Sequence, residues 1–434
     1  MCRYSKLELI GGINLLKTTR EKINDEVYLN IINGDKFKTE LISFYFIMPL
    51  NRSEVTKNTL VPLILKRGTK QYNTSMDIER RLEELYGSDL SVSVNKKGEK
   101  HIIRFTIEGP REDFVLSNDI LKNKLDVLKE LIYNPLVIDN KFKEEYVSQE
   151  KRNLKDRISS RINDKKQYST TRCIEEMCKN EPYHIYKYGY IEDLENINSQ
   201  NLYKHYLDFF KKSRVEINVV SNIEKNEIKN IIKDYFPFDE RESKLLKREN
   251  VIKKDIEEKT VIEEMDIKQG KLTLGYRTNI PYEDDLYTAF LVGNHILGGG
   301  PDSKLFINVR EKESLAYYIY SRGYKYKSLM LISAGIEFDK YESALNIIKE
   351  QIEAMKKGEF EEKNIEQSKK AMITSMKAVE DDTYSISEFN LSKVLTDNQD
   401  IDEIIDSINK VKKEDIINSM NKISLDTVYF LKNQ

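Results

Sequence analysis

A chain of 434 residues carrying 71 Lys plus Arg against 73 Asp plus Glu, a net charge of -2, is long enough for two cores of about 200 residues each, and its balance gives no reason to expect a nucleic-acid or anionic-membrane partner. The basic residues are scattered, and Cys2, Cys173 and Cys178 are too few for a disulfide framework, so a reducing, cytoplasmic setting is expected. The N-terminal MCRYSKLELIGGINLLKTT lacks the unbroken apolar stretch of a secretion leader, and no later segment reaches the roughly eighteen apolar residues of a membrane span.

In chain order, TELISFYFIMPL (39–50) reads as an apolar strand, followed by a helical run through TLVPLILKRGT. SMDIERRLEELYG (75–87) places Ile78, Leu82 and Leu85 at helical spacing, and SVSV with HIIRFTIEG reads as a hairpin. Leu121, Leu125, Leu128 and Ile132 mark one helical face. Residues 139–168 read as a single long charged helix with Phe142, Val147, Leu154 and Ile158 turned inward. The run FDERESKLLKREN (238–250) is almost wholly polar and is predicted to be an exposed linker.

Beyond it the same order returns, about 230 residues on, as an internal repeat. KLTLGYRTNIPY (271–282) is a strand, DLYTAFLVGNHILGGG and SKLFINVREKES are helical, and LAYYIYS with LMLISAGIEF is a hairpin around RGYKYKS. Helices follow over ESALNIIKEQIEAMKKG and from Glu361 to Val379. The expectation is an α+β protein of two tandem homologous domains, 1–237 and 251–434, joined by 238–250, each an antiparallel sheet covered by helices on one face.

The glycine run at 298–300 is in the wrong register for a phosphate loop: the only lysine follows PDS, and a helix rather than a strand precedes it. Its residues suit a helix terminus instead, with Gly298 ending one helix and Asp302 or Ser303 capping the next. The four histidines, His101, His184, His205 and His295, include no i, i+4 pair and no H-E-x-x-H or H-x-x-E-H, so no metal site is expected in this chain. Arg310 and Tyr317 stand seven apart on the following helix and strand. Both are strong donors, suited to holding a carbonyl oxygen as it becomes an oxyanion.

The stretch from Ser303 to Tyr317, SKLFINVREKESLAY, resembles the second-domain signature of the M16 zinc peptidases, the insulinase, pitrilysin and mitochondrial processing peptidase family. The two-copy layout and EPYHIYKYGYIEDLENINSQNLYKHYLDFF (181–210) resemble it too, so the likeness spans nearly the whole chain. Within the family the sequence is most similar to the YmfF-like branch, whose label associates it with 5-aminopentanol modification of elongation factor P and names no substrate. The resemblance implies a pair of LuxS/metallohydrolase-like domains, with zinc ligands H-x-x-E-H in the first and an Arg and Tyr in the second that bind the substrate carbonyl.

Arg310 and Tyr317 match that last pair, and Gly299, Gly300 and Ser303 would line the substrate path as a similar loop does in relatives. Aligned on Gly68 and Thr69, however, the zinc motif falls on Thr59, Pro62 and Leu63; Glu150 resembles the family's helix Glu, and the ligand seven residues later falls at Arg157. What this implies is the zinc-free subunit of a heterodimeric M16-like peptidase, inactive alone, with no cofactor of its own. A zinc-bearing paralogue would be its partner, and a peptide or small protein its substrate. The alternative is an inert pseudoenzyme that binds peptides or serves as a scaffold.

Overall fold

The computed structural model describes residues 18–238, 241–242, 246–396 and 399–434. Cys2 and all but the last two residues of the N-terminal stretch read for a leader lie outside them, as do residues 239–240 and 243–245 of the charged connection. The first half contains strands β1 (Thr18–Asn24), β2 (Val27–Asn33), β3 (Thr39–Pro49), β4 (Asp89–Lys97), β5 (Lys100–Pro110), the two-residue pair β6 (Val137–Ile138) and β7 (Lys141–Phe142), and β8 (Arg214–Ser221). Its helices are α1 (Val55–Leu65), α2 (Ser75–Glu84), α3 (Ile120–Tyr133), α4 (Glu144–Ser159), α5 (Lys165–Met177), α6 (Ser199–Lys212) and α7 (Lys225–Tyr235).

The second half contains β9 (Lys259–Glu264), β10 (Gly270–Arg277), β11 (Ala316–Tyr324), β12 (Leu329–Ile336) and β13 (Ser424–Lys432). Its helices are α8 (Tyr287–Gly298), α9 (Tyr341–Lys356), α10 (Glu362–Ala378), α11 (Thr383–Thr396), α12 (Ile401–Lys410) and α13 (Lys413–Asn421).

The repeat is carried by topology as well as by order. The first sheet runs β1-β2-β8-β3-β5-β4 and the second β9-β13-β10-β12-β11, so without β1 the two follow one path. Even the single parallel pairing recurs: β2 lies parallel to β8, and β9 to β13, while the other pairs are antiparallel.

One face of each sheet carries its own half's helices. Leu60, Leu128, Phe209 and Ile228 pack on Phe44, Phe46 and Phe105 in the first; Val292, Ile348 and Ile416 pack on Leu274, Ile332 and Val428 in the second. The expectation of a single covered face is corrected by the other side, where the halves exchange a helix. Ile386 of α11 seals Ile32, Leu41 and Val220, and Leu391 seals Tyr45, Ile47 and Ile102. In return Cys173, Ile174 and Met177 of α5 cover Leu329, Leu331, Tyr429 and Leu431 of the second sheet.

This accounts for the burial of β3 on both faces, from Glu40 to Met48. Gly275 in β10 serves the same contact, since a Cβ there would stand 2.8 Å from Met177 Sδ. Hydroxyls lock the exchange: Tyr45 Oη lies 2.9 Å from Ser387 Oγ, and Ser169 Oγ lies 2.8 Å from Thr273 Oγ1.

Two local expectations differ from the structure. The helix read over 139–168 begins only at Glu144 and breaks after Ser159, because Asp164 turns the chain and accepts from Gln167 N at 2.9 Å to start α5. Phe142, Val147, Leu154 and Ile158 are buried as predicted, although Phe142 sits in β7. The described end of the polar connection is held tightly. Leu246 packs against the Tyr45 cluster, and Glu249 accepts from Lys100 Nζ at 2.6 Å and Glu99 N at 3.0 Å. Lys327 then ties Glu99 to Glu181, at 2.7 and 2.6 Å, joining the tips of the two equivalent hairpins.

Candidate functional site

Helix α8 ends at Gly298 as predicted, but close packing demands the glycine there, since a Cβ would stand 2.5 Å from the backbone N of Ser321 in β11. The turn that follows brings Gly299, Gly300 and Ser303 onto one cavity of about 240 Å³, shared with His295, Asn364 and Ser368. The predicted side-chain cap is absent: Ser303 Oγ donates back to Gly300 O at 2.6 Å, and neither Asp302 nor Ser303 caps the next helix through its side chain. That helix, Phe306–Lys312, is π-helical, closed by Leu315 N donating to Val309 O at 2.9 Å. Such wide turns are uncommon, and they concentrate at functional sites.

Arg310 projects from this π-helix into solvent with its guanidinium 4.6 Å from the centre of the Phe306 ring. No carboxylate pairs with it among the described residues. Tyr317 is the extra residue of a β-bulge: Ala316 faces Ile336 and Tyr318 faces Gly335, leaving Tyr317 without a partner across the ladder. The bulge turns the phenol outward, 58 % exposed, where it donates to Glu337 Oε1 at 3.2 Å. That hydrogen bond and the nearby negative charge raise the phenol's pKa, so Tyr317 stays a donor. No hydrogen bond joins Arg310 to Tyr317. Glu337 and Phe306, which orient the pair, carry no signal that sequence spacing could have revealed.

Of the positions aligned with the zinc motif, Thr59 and Pro62 are buried on α1 and Leu63 is half-buried, and none is a metal ligand. Thr59 is fully enclosed, its hydroxyl placed 2.9 Å from Val55 O and 3.1 Å from Lys187 O, and Pro62 interrupts the donor ladder of the helix. Leu63 offers no donor atom. Glu150 is buried, with Asn153 Nδ2 donating to its Oε1 at 3.1 Å and Arg67 Nε 3.7 Å away. Arg157 lies exposed with its guanidinium over the Tyr188 ring, 5.3 Å from the centroid. Three side chains without a ligating base, a carboxylate already engaged and a cation do not fit a zinc ion.

Elsewhere among the described residues no group of three His, Cys, Asp or Glu side chains could hold a metal ion. The histidines have structural partners. His101 Nε2 donates to Lys187 O at 2.9 Å, His205 Nε2 donates to Asn58 Oδ1 at 2.7 Å, and His295 Nδ1 lies 3.0 Å from Ser368 Oγ. Cys173 and Cys178 are free and buried, and burial raises both thiols' pKa values, the latter to about 11. No helix among the described residues is long and apolar enough to cross a membrane.

Comparison with known proteins follows this geometry. A family profile described as "Peptidase M16 inactive domain" matches residues 196–372. The chain is 40% identical over 405 residues, 93% of its length and 95% of the relative's, to a Bacillus subtilis protein described as a probable inactive metalloprotease, YmfF. It is 26% identical over 230 residues, 52% of its length and 55% of the relative's, to YmxG of the same strain, described as an uncharacterized zinc protease. Among solved structures, a conserved protein from Enterococcus faecalis V583 superposes with a TM-score of 0.89 at 28% identity, covering 96% of this chain and 99% of that one.

Proposed function

The chain belongs to the M16 peptidase family, and we propose that it serves there as the subunit without zinc, presenting Arg310 and Tyr317 to a peptide held by a zinc-bearing M16-like partner. The observation that carries this reading is the contrast between its two halves: enclosed Thr59 and an engaged Glu150 in the first, an exposed cation and phenol on a π-helix and a bulge in the second. Units 1–237 and 251–434 divide the work accordingly. The chain supplies donors to the scissile carbonyl as negative charge develops on its oxygen, while the metal remains with the partner. That Bacillus subtilis strain 168 has both an inactive relative and a zinc-protease relative supports pairing of this kind. Gly299, Gly300 and Ser303 would line the approach, and buried free thiols suit a cytoplasmic location.

Mixing the purified chain with a zinc-bearing M16 paralogue from its own host tests the reading. Peptidase activity is expected only from the mixture. Replacing Arg310 by Ala should lower kcat about 100-fold, the scale of losing one oxyanion donor, with assembly unchanged by size-exclusion chromatography. Full turnover by a mixture carrying both Arg310→Ala and Tyr317→Phe would refute it. An inert, peptide-binding or scaffolding role is the second reading, favoured by the Tyr317 phenol resting on Glu337 instead of standing free.

A further inference from the structure

A second cavity, about 590 Å³, lies at the seam of the two halves, between β4, β11, α5 and the chain from Tyr183 to Tyr188. It is separate from Arg310, Tyr317 and the glycine turn. Its wall carries four basic side chains, Lys96, Arg161, Lys187 and Arg322, against the single acid Asp164. Each cation rests on a tyrosine ring of the same wall: Lys96 on Tyr183 at 4.3 Å, Arg161 on Tyr186 at 4.9 Å, Lys187 on Tyr188 at 4.7 Å and Arg322 on Tyr324 at 5.7 Å.

Stacking on a ring fixes a cation in place without neutralising it. Arg161 is balanced by Glu175, with contacts of 3.0 and 3.2 Å. The other three make no direct ion pair among the described residues, although the charge of Glu175 reaches Lys96 and Lys187 Nζ donates to Asn95 Oδ1 at 3.5 Å. Lys96 donates to Tyr183 O at 2.7 Å and Ile185 O at 2.9 Å, which leaves one of its three N–H bonds for a ligand. Burial pushes its pKa down to about 8, with the charge of Glu175 opposing the shift. Lys96 and Lys187 are half-buried and Arg322 is exposed, so these three cations outnumber the one carboxylate of the wall, Asp164, and give the cavity a positive field that favours a negatively charged occupant.

We propose that this seam cavity binds a carboxylate-bearing peptide segment, its acidic side chains meeting Lys96, Lys187 and Arg322 and its remaining surface lying on the tyrosine rings. The volume falls within the usual range for small-ligand sites and admits a short stretch of peptide. A peptide with neutral or basic side chains would leave the cations unpaired. The site therefore selects by charge, and it does so whether or not Arg310 and Tyr317 take part in turnover.

Fluorescence titration of the full chain, without any partner, tests this with a dansylated Glu-rich peptide and the same peptide with every Glu changed to Gln. The Glu-rich peptide is expected to bind at least about tenfold more tightly, and raising salt to about 0.5 M should weaken it. Arg322→Glu, an exposed strand position, should weaken binding about tenfold or more, whereas Lys370→Glu on the far-exposed side of α10 should leave it unchanged. Equal affinity for the two peptides, binding of neither, or an Arg322→Glu effect no larger than that of Lys370→Glu overturns the proposal. Because no turnover is read, failure of the catalytic reading would not alter these outcomes.

Discussion

Thr59 donates toward the carbonyl of Lys187, and that carbonyl also takes the Nε2 proton of His101. Asn58, one residue earlier, accepts from His205. The helix face where the family resemblance implied metal ligands is thus part of a buried hydrogen-bond network with two neutral imidazoles. Burial depresses both histidines from 6.5 to about 4. The unfolded chain therefore binds more protons than the folded one between those values, so stability is fully present above pH 6.5 and is lost as pH falls toward 4. Each group puts about 3 kcal/mol at stake across the window, an upper scale for an isolated site. Melting temperature should fall steadily from pH 6.5 to pH 4.5, and His205→Asn should flatten that slope. An unchanged profile in the variant would exclude His205 as a source of the acid sensitivity.

Helix α8 and the turn after it show how neighbouring glycines differ in their reasons. A methyl group on Gly298 would collide with Ser321 N, while one at Gly300 would meet nothing within 4 Å. Gly298→Ala should cost about 1–3 kcal/mol in chemical denaturation, as overpacking does, and Gly300→Ala less than about 0.5 kcal/mol. The end of α8 was legible because Gly-Gly-Gly-Pro interrupts an apolar run. The π-helix after it was not, since FINVREK contains nothing that distinguishes wide turns from α-turns; the wide closure shows only in the backbone, where Leu315 N donates to Val309 O. Apolar runs likewise revealed β3, β5, β10 and β12, together with the order of the repeat. The exchanged helices escaped because Cys173, Ile174 and Met177 form an apolar face like any other, and local periodicity does not name the sheet it will cover. At the candidate site, Arg310 and Tyr317 were visible through resemblance, whereas the bulge and Glu337 needed three dimensions.

Across the whole molecule, each sheet has one face completed by the opposite half, so neither half buries its apolar surface alone. Ile386, Leu391, Ile174 and Met177 are all less than a tenth exposed, and a fully buried side chain of this size contributes about 1.5–3 kcal/mol. Unfolding should accordingly be a single transition by calorimetry. An engineered protease site between residues 238 and 246 should, once cut, leave two fragments that elute together at the mass of the intact chain. Fragments that separate and keep their own melting transitions would show that the exchange is not needed for stability. The two sheet paths are equivalent once β1 is set aside, so the chain repeats one topology twice. A genetic consequence follows from the crossing of α5 and α11: a lesion that loosens the N-terminal sheet, at Val220 for example, should find its second-site suppressors near Ile386, far along the gene and past the junction.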